Sequence, residues 1–255
     1  MNLLIVSFGT RFSGACLMTD GRVMSHKTEN ADPAAFPGYA VEYVLSQAEL
    51  DISEVDHVAF LGKPLSYFER LIDRHTRLFP FSFPAFFSDF RDFFIKKLKV
   101  KSSIKENLDF SKDIYYVELA DAVAYAAAGE YSSEEMIIAV FLSDCLSLRT
   151  GGCYRKKGDG LFLLKELVWS DSLSIRRGLE MEGSDPGEAE KGLRGLMSCA
   201  ENPSDDRAVL VSDCRFFSDL EVKLQRELKD LSFRFLDYNE IMEYAGRYVF
   251  AGIGE

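Results

Sequence analysis

The stretch from Phe36 to Arg70, FPGYAVEYVLSQAELDISEVDHVAFLGKPLSYFER, decides how the rest of the chain is read. Tyr39, Tyr43 and Leu50 recur at helical spacing, Asp51 and Ser53 close that helix in a polar turn, and His57 to Leu61 is an apolar run of strand length. Lys63-Pro64 comes next. Proline suits the first turn of a helix, where its missing N–H is no loss, so Lys63 is expected between the carboxyl end of a strand and a helix start. Open α/β sheets bind ligands at that edge, which makes Lys63 a candidate for holding an anion. A surface lysine beside a helix start is the plainer reading of the same residues.

The composition narrows the classes of function. With 255 residues, 47% hydrophobic and 28% charged, the chain is long enough for one large domain or two modest lobes with proper cores. A net charge of -11 argues against a broad nucleic-acid surface, which needs clustered Lys and Arg. Met1 to Phe8 lacks the basic start of a signal peptide, and no apolar run approaches bilayer length. A cytoplasmic protein without a membrane span is expected. Cys16, Cys145, Cys153, Cys199 and Cys214 are scattered and form no CxxC pair, so they read as small core residues and give no zinc pattern. His26, His57 and His75 lie in separate segments, and nothing links any of them to a cysteine as nucleophile and base.

The two halves of the chain open alike. Leu3 to Phe8 reads as a buried strand, Phe8-Gly9-Thr10 as a turn, and Ser13 to Thr19 as a second strand, with Asp20-Gly21 as a hairpin turn into Arg22 to Lys27. Met136 to Leu142, Ser147 to Tyr154 and Leu161 to Trp169 repeat the strand and hairpin order, with a turn at Lys157 to Gly160. Between them lie a phenylalanine-rich segment, a strand at Ile114 to Val117 and a small-residue helix at Leu119 to Gly129. Phe86, Phe90, Phe93 and Phe94 share one helical face, and Lys96, Lys97, Lys99 and Lys101 follow. A basic, aromatic helix of this kind suits a membrane interface, but Asp89 and Asp92 would repel an anionic membrane, so internal packing or a dimer face is favoured. Ala208 to Ser212, Ser218 to Leu231, Phe233 to Leu236 and a helix from Asn239 read as a closing βαβα unit.

Phe36-Pro37, Tyr39-Ala40-Val41, Asp56, Val58, Phe60, Lys63-Pro64 and Phe68-Glu69-Arg70-Leu71 closely resemble the amino-terminal part of one enzyme family. These are the O-carbamoyltransferases that make nodulation factors and tailor antibiotics, relatives of the tRNA threonylcarbamoyl-transfer enzymes. The resemblance implies an α/β, actin-like ATPase (ASKHA, ribonuclease H-like) fold of two pseudo-repeated lobes, expected at 1–130 and 131–255. It implies ATP with Mg²⁺ as cofactor, with backbone N–H groups of the first turn facing a phosphate. On that reading Gly9, Thr10, Arg11, Ser13, Lys63, Asp144, Thr150, Gly151 and Gly152 are the candidate nucleotide-binding residues.

The departures from the family pattern bear on activity. Where the resembling enzymes carry HHLSHAASA, with two metal-binding histidines, this chain has Val117 and Asp121, so a metal is not expected there. Arg11-Phe12-Ser13-Gly14 replaces a His-Asp pair, and of the acidic-glycine phosphate turn only Asp144 is kept. No catalytic set is assigned. The expectation is a catalytically degenerate member, a pseudoenzyme that senses a nucleotide or binds a protein partner, either a full-length homologue or a second copy as a homodimer. The alternative is an active ATP-cleft carbamoyltransferase domain that works with a carbamoyl-adenylate-forming partner in trans.

Overall fold

The structure, a computed structural model, describes residues 1–9, 13–29, 35–77, 79–94, 98–131, 135–142, 149–168, 208–212 and 231–253. The expected turn around Asp144 and residues 218–230 of the expected helix lie outside these residues, while Leu231, expected as the helix end, opens a strand instead. The described residues form two five-stranded sheets. The first contains β1 (Asn2–Ser7), β2 (Ser13–Thr19), β3 (Arg22–Glu29), β4 (His57–Leu61) and β5 (Ile114–Val117), in the order β3-β2-β1-β4-β5. The second contains β6 (Glu135–Phe141), β7 (Arg149–Lys157), β8 (Gly160–Val168), β9 (Ala208–Ser212) and β10 (Leu231–Phe235), in the order β10-β9-β6-β7-β8.

Read from the hairpin side, the two orders are the same. In each sheet a central strand pairs antiparallel with the near strand of a hairpin on one side and parallel with a later strand on the other, and that strand pairs parallel with the last. The hairpin at Asp20-Gly21 is closed by two residues with positive φ, 49° and 78°, the backbone that matches the twist of the flanking strands.

The first sheet is covered on both faces. Leu4, Val6, Phe8, Ala15 and Leu17 alternate along β1 and β2 and share a core with two helices. One is α1 (Gly38–Gln47), which contributes Ala40, Val41 and Val44. After α2 (Pro64–Arg77) and α3 (Phe83–Asp92), the other is α4 (Val100–Leu108), which buries Val100, Ile104 and Leu108 at four-residue spacing. The small aliphatic residues of α1 therefore face the sheet. Tyr39 and Tyr43, which share the opposite stripe, stay more exposed, with Lys27 Nζ 5.8 and 4.9 Å from their ring centres.

After α5 (Leu119–Glu130), the final helix α6 (Tyr238–Ile253) lies on the other face of the first sheet, where Gly246 meets Ile5 and Met18. By compactness the chain divides into Met1–Ala122 with Asp144–Leu148 and Tyr238–Glu255, and Val123–Ser143 with Arg149–Asp237. The first division falls inside α5. Within the second unit Lys156 Nζ donates to the carbonyls of Ala128 and Tyr131, at 2.8 and 2.6 Å, and so satisfies acceptors that the end of α5 leaves open.

Cys16 and Cys153 are buried cysteines, one in each unit. Burial, with a smaller contribution from the charge of Glu243 on α6, pushes the Cys16 thiol up to about 12.

Two carboxylates tie down the turns of the first unit. Asp51 accepts from the Ser53 N–H at 2.9 Å and caps a short 3₁₀ turn, Ile52–Glu54. Asp56 accepts from the Asn2 N–H at 2.7 Å. That backbone bond, helped by Lys112 and His57, holds the Asp56 carboxyl below its ordinary value. A depressed carboxylate stabilises the fold above the ordinary carboxylate range, about pH 4, and the contribution is lost as pH falls through the depressed value. Urea titrations at neutral and acid pH are expected to show Asp56→Asn as less stable than the parent at pH 7, with the gap closing as pH falls below the ordinary carboxylate range. A gap that persists in acid would mean that the carboxylate charge is not what stabilises the turn.

Candidate functional site

β1, β4 and β5 run parallel, so their carboxyl ends share one edge of the first sheet, and the start of β2 joins them because Ser7 pairs with Gly14. This edge collects the informative backbone. Gly9 follows β1 with φ 83° and Gly62 follows β4 with φ 133°, both in territory that side chains with a Cβ avoid. Gly62 N–H donates to the Val117 carbonyl at 3.0 Å, which extends the β4–β5 register by one bond before the chain turns away.

Lys63 and Glu118 then cap two helices. The Lys63 carbonyl accepts from Tyr67 N–H and opens α2, with Pro64 as its first residue, and the Glu118 carbonyl accepts from Ala122 N–H and opens α5. Their side chains approach to 3.9 Å, with Lys63 43% exposed and Glu118 8%. Two helix amino termini, a half-exposed ammonium and a buried carboxylate therefore stand together at the carboxyl ends of β4 and β5. Asp121 lies in the first turn of α5.

Ser13, the first residue of β2, is 2% exposed, and its Oγ has no hydrogen-bond partner among the described residues. A buried hydroxyl without a partner is costly unless a ligand or water completes it, and this one comes directly after the first turn.

The sequence-derived candidates are thus distributed as follows. Gly9, Ser13 and Lys63 lie at the edge of the first sheet. Thr10, Arg11 and Asp144 lie outside the described residues. Thr150, Gly151 and Gly152 lie within β7 of the second unit. There the Thr150 hydroxyl donates to the Leu167 carbonyl at 3.1 Å. A Cβ on Gly151 would stand 2.0 Å from the Val140 oxygen, and one on Gly152 3.0 Å from Leu163, so strand packing by itself accounts for both glycines. Among the described residues no three His, Cys, Asp or Glu side chains converge as metal ligands.

Glu118 had no assigned role in the sequence reading, although the signal was there. Once β4 and β5 are parallel neighbours with Leu61 opposite Val117, the residues just beyond both strands must meet. The phenylalanine face is internal in large part. Phe68 of α2 stacks on Phe93 at 5.0 Å and 21° and meets Phe90 and Phe94 at 5.7 and 6.1 Å, while Phe81, Phe83 and Phe87 remain exposed. Among the described residues no helix is long and apolar enough to cross a membrane.

No family model matches the chain. The uncharacterized protein sll1178 of Synechocystis sp. is 30% identical over 101 residues, a stretch that is 38% of this chain and 16% of that protein. Among solved structures, the ROK hexokinase of Thermus thermophilus superposes with a TM-score of 0.52 at 12% identity, over 100% of both chains. The activator of the 2-hydroxyisocaproyl-CoA dehydratase of Clostridium difficile, solved with bound ADPNP, gives 0.50 at 12% identity, over 100% of this chain and 96% of that one. At these identities the likeness is one of fold. With the strand order repeated in both sheets, the chain has the actin-like ATPase fold.

Proposed function

We propose that this chain is a nucleotide-sensing, actin-like domain of the O-carbamoyltransferase kind, which holds ATP with Mg²⁺ at the carboxyl edge of its first sheet without turning it over. A protein partner reads the bound state. The observation that carries the reading is Ser13, whose buried hydroxyl has no hydrogen-bond partner among the described residues and follows the Gly9 turn at the edge where Lys63 also sits. In this reading the Ser13 hydroxyl donates to a phosphate oxygen and the Gly9 turn lets the backbone come close. Lys63, its charge shared with Glu118, offsets the remaining negative charge. Mg²⁺ bound chiefly by phosphate and water needs few protein carboxylates, and Asp121 is the one this reading assigns.

Absence of turnover rests on the positions where the resembling enzymes carry metal-binding histidines. Val117 is 3% exposed at the end of β5 and cannot ligate, which leaves Asp121 without its counterpart.

Thermal unfolding and calorimetry with ATP and Mg²⁺ test the proposal. Saturation at a hundred times the dissociation constant is expected to stabilise the chain by about 2.7 kcal/mol. Ser13→Ala and Lys63→Ala are each expected to weaken binding about tenfold, the cost of one charge-assisted hydrogen bond, with little change in stability for the half-exposed Lys63. No ADP and no carbamoyl transfer should appear. Lack of any nucleotide-dependent shift would sink the proposal. Transfer by the chain together with a carbamoyl-adenylate-forming enzyme would replace it with the active-domain reading.

A further inference from the structure

Phe79, Phe81, Phe83 and Phe87, in the turn after α2 and on α3, are 67, 92, 51 and 57% exposed. The inner rings of the same segment are accounted for by packing, since Phe93 is 2% exposed and stacks on Phe68 of α2. The outer four have no such explanation. Burial of an aromatic ring is among the largest apolar gains a chain makes, and a contiguous exposed patch of such rings marks an interaction surface. Ile72, 44% exposed on α2, continues the patch. A cavity of about 430 Å³, lined by Ile72, Thr76, Phe79, Phe83 and Phe86, carries it inward between the two helices.

The surroundings of this patch are basic. Residues 70–101 hold eight Lys and Arg against three Asp, a net +5 in a chain whose net charge is -11, so the remainder carries -16. Arg91 follows Phe83 and Phe87 at four-residue intervals and so continues their stripe of α3, and Lys99 and Lys101 are exposed at the start of α4. The two aspartates of α3 that argue against a membrane are already counted in that +5. Asp89 is moreover turned to His75 Nε2 of α2, 2.9 Å away, and Asp73 pairs with Arg77 at 3.0 Å.

A second copy of the chain fits this face poorly. A two-fold interface would set the basic patch against itself, and docking it on the acidic remainder of another copy gives a contact that does not close. A bilayer with anionic headgroups takes up both features at once, the rings at its apolar boundary and the cations at its charge. Screening limits that attraction to groups within about 8 Å at physiological salt, so the local +5 decides and not the net -11. We propose that the turn after α2 and the outer stripe of α3 rest on an anionic bilayer surface. Phe79, Phe81, Phe83 and Phe87 then lie at the boundary of headgroups and acyl chains, with the basic residues of 70–101 supplying the attraction. The chain lies on the membrane and does not cross it. This docking is independent of what the edge of the first sheet binds.

The test floats the whole chain with vesicles through a sucrose gradient, so that aggregated protein does not count as bound. Vesicles of phosphatidylcholine with about 30% phosphatidylserine are expected to bind about tenfold more tightly than phosphatidylcholine alone, and to lose most of that advantage between about 0.1 and about 0.5 M salt. Phe81→Ala, at a ring 92% exposed, is expected to weaken binding to the anionic vesicles about tenfold, and Arg91→Gln about fivefold. Phe162→Ala removes an exposed ring of β8 in the second unit and should leave binding unchanged. Equal affinity for the two lipids, binding to neither, or equal losses from Phe81→Ala and Phe162→Ala overturns the proposal. So does a chain that ignores vesicles and sediments as a dimer that Phe81→Ala disperses, which assigns the patch to a second copy.

Discussion

Gly151→Ala is expected to destabilise the second unit by at least about 3 kcal/mol, a large share of the 5–15 kcal/mol that keeps a typical domain folded. The added methyl would stand 2.0 Å from the Val140 oxygen and 3.0 Å from its carbonyl carbon. These are backbone atoms in the middle of the second sheet. Val140 lies on β6, which pairs with β7 on one side and β9 on the other, so it cannot retreat without breaking two ladders. Gly129 provides the control, since nothing lies within 4 Å of a Cβ built there and the residue sits inside α5. Gly129→Ala should stabilise by about 0.5–1 kcal/mol through helix propensity. Urea unfolding followed by circular dichroism gives both values. Similar stabilities for the two variants would show that β7 can shift to admit a side chain.

Phe8→Ala is the second large effect, expected to cost about 3–5 kcal/mol. Phe8 is 1% exposed and meets Phe36 at 5.7 Å and Phe60 at 5.2 Å, both edge to face. It joins the loop before α1 to the ends of β1 and β4, so truncation opens a cavity directly beneath Gly9. The variant should also bind ATP more weakly than its stability loss explains, because the turn loses its anchor. Phe81, at 92% exposure, is the matched surface control, and its truncation should stay within about 0.5 kcal/mol. A Phe8 variant as stable as the Phe81 variant would show that the site refills by repacking.

These two positions also show what a sequence discloses. The apolar strand runs and the Asp20-Gly21 turn were legible because strand burial and positive φ each restrict composition at single sites. The order of hairpin and parallel strands followed, and with it the fold. Which stripe of α1 faces the sheet was harder to read. Tyr39 and Tyr43 have the helical spacing of a core face, but a close-packed helix on a sheet favours the smaller Ala40, Val41 and Val44.

The candidate site was legible in part. Lys63 stood out through its proline, whereas Glu118 becomes its neighbour only through a register between strands more than fifty residues apart. Gly151 and Gly152 have the composition of a phosphate turn, but their contacts are those of crowded strands, and only three-dimensional proximity separates the two.

The buried thiols have a practical use of their own. Cys16 and Cys153 lie in different units, and a buried thiol meets an alkylating reagent only when its surroundings open. Labelling followed residue by residue with mass spectrometry therefore clocks each unit separately, so that damage at Gly151 should hasten Cys153 and leave Cys16 at its native pace.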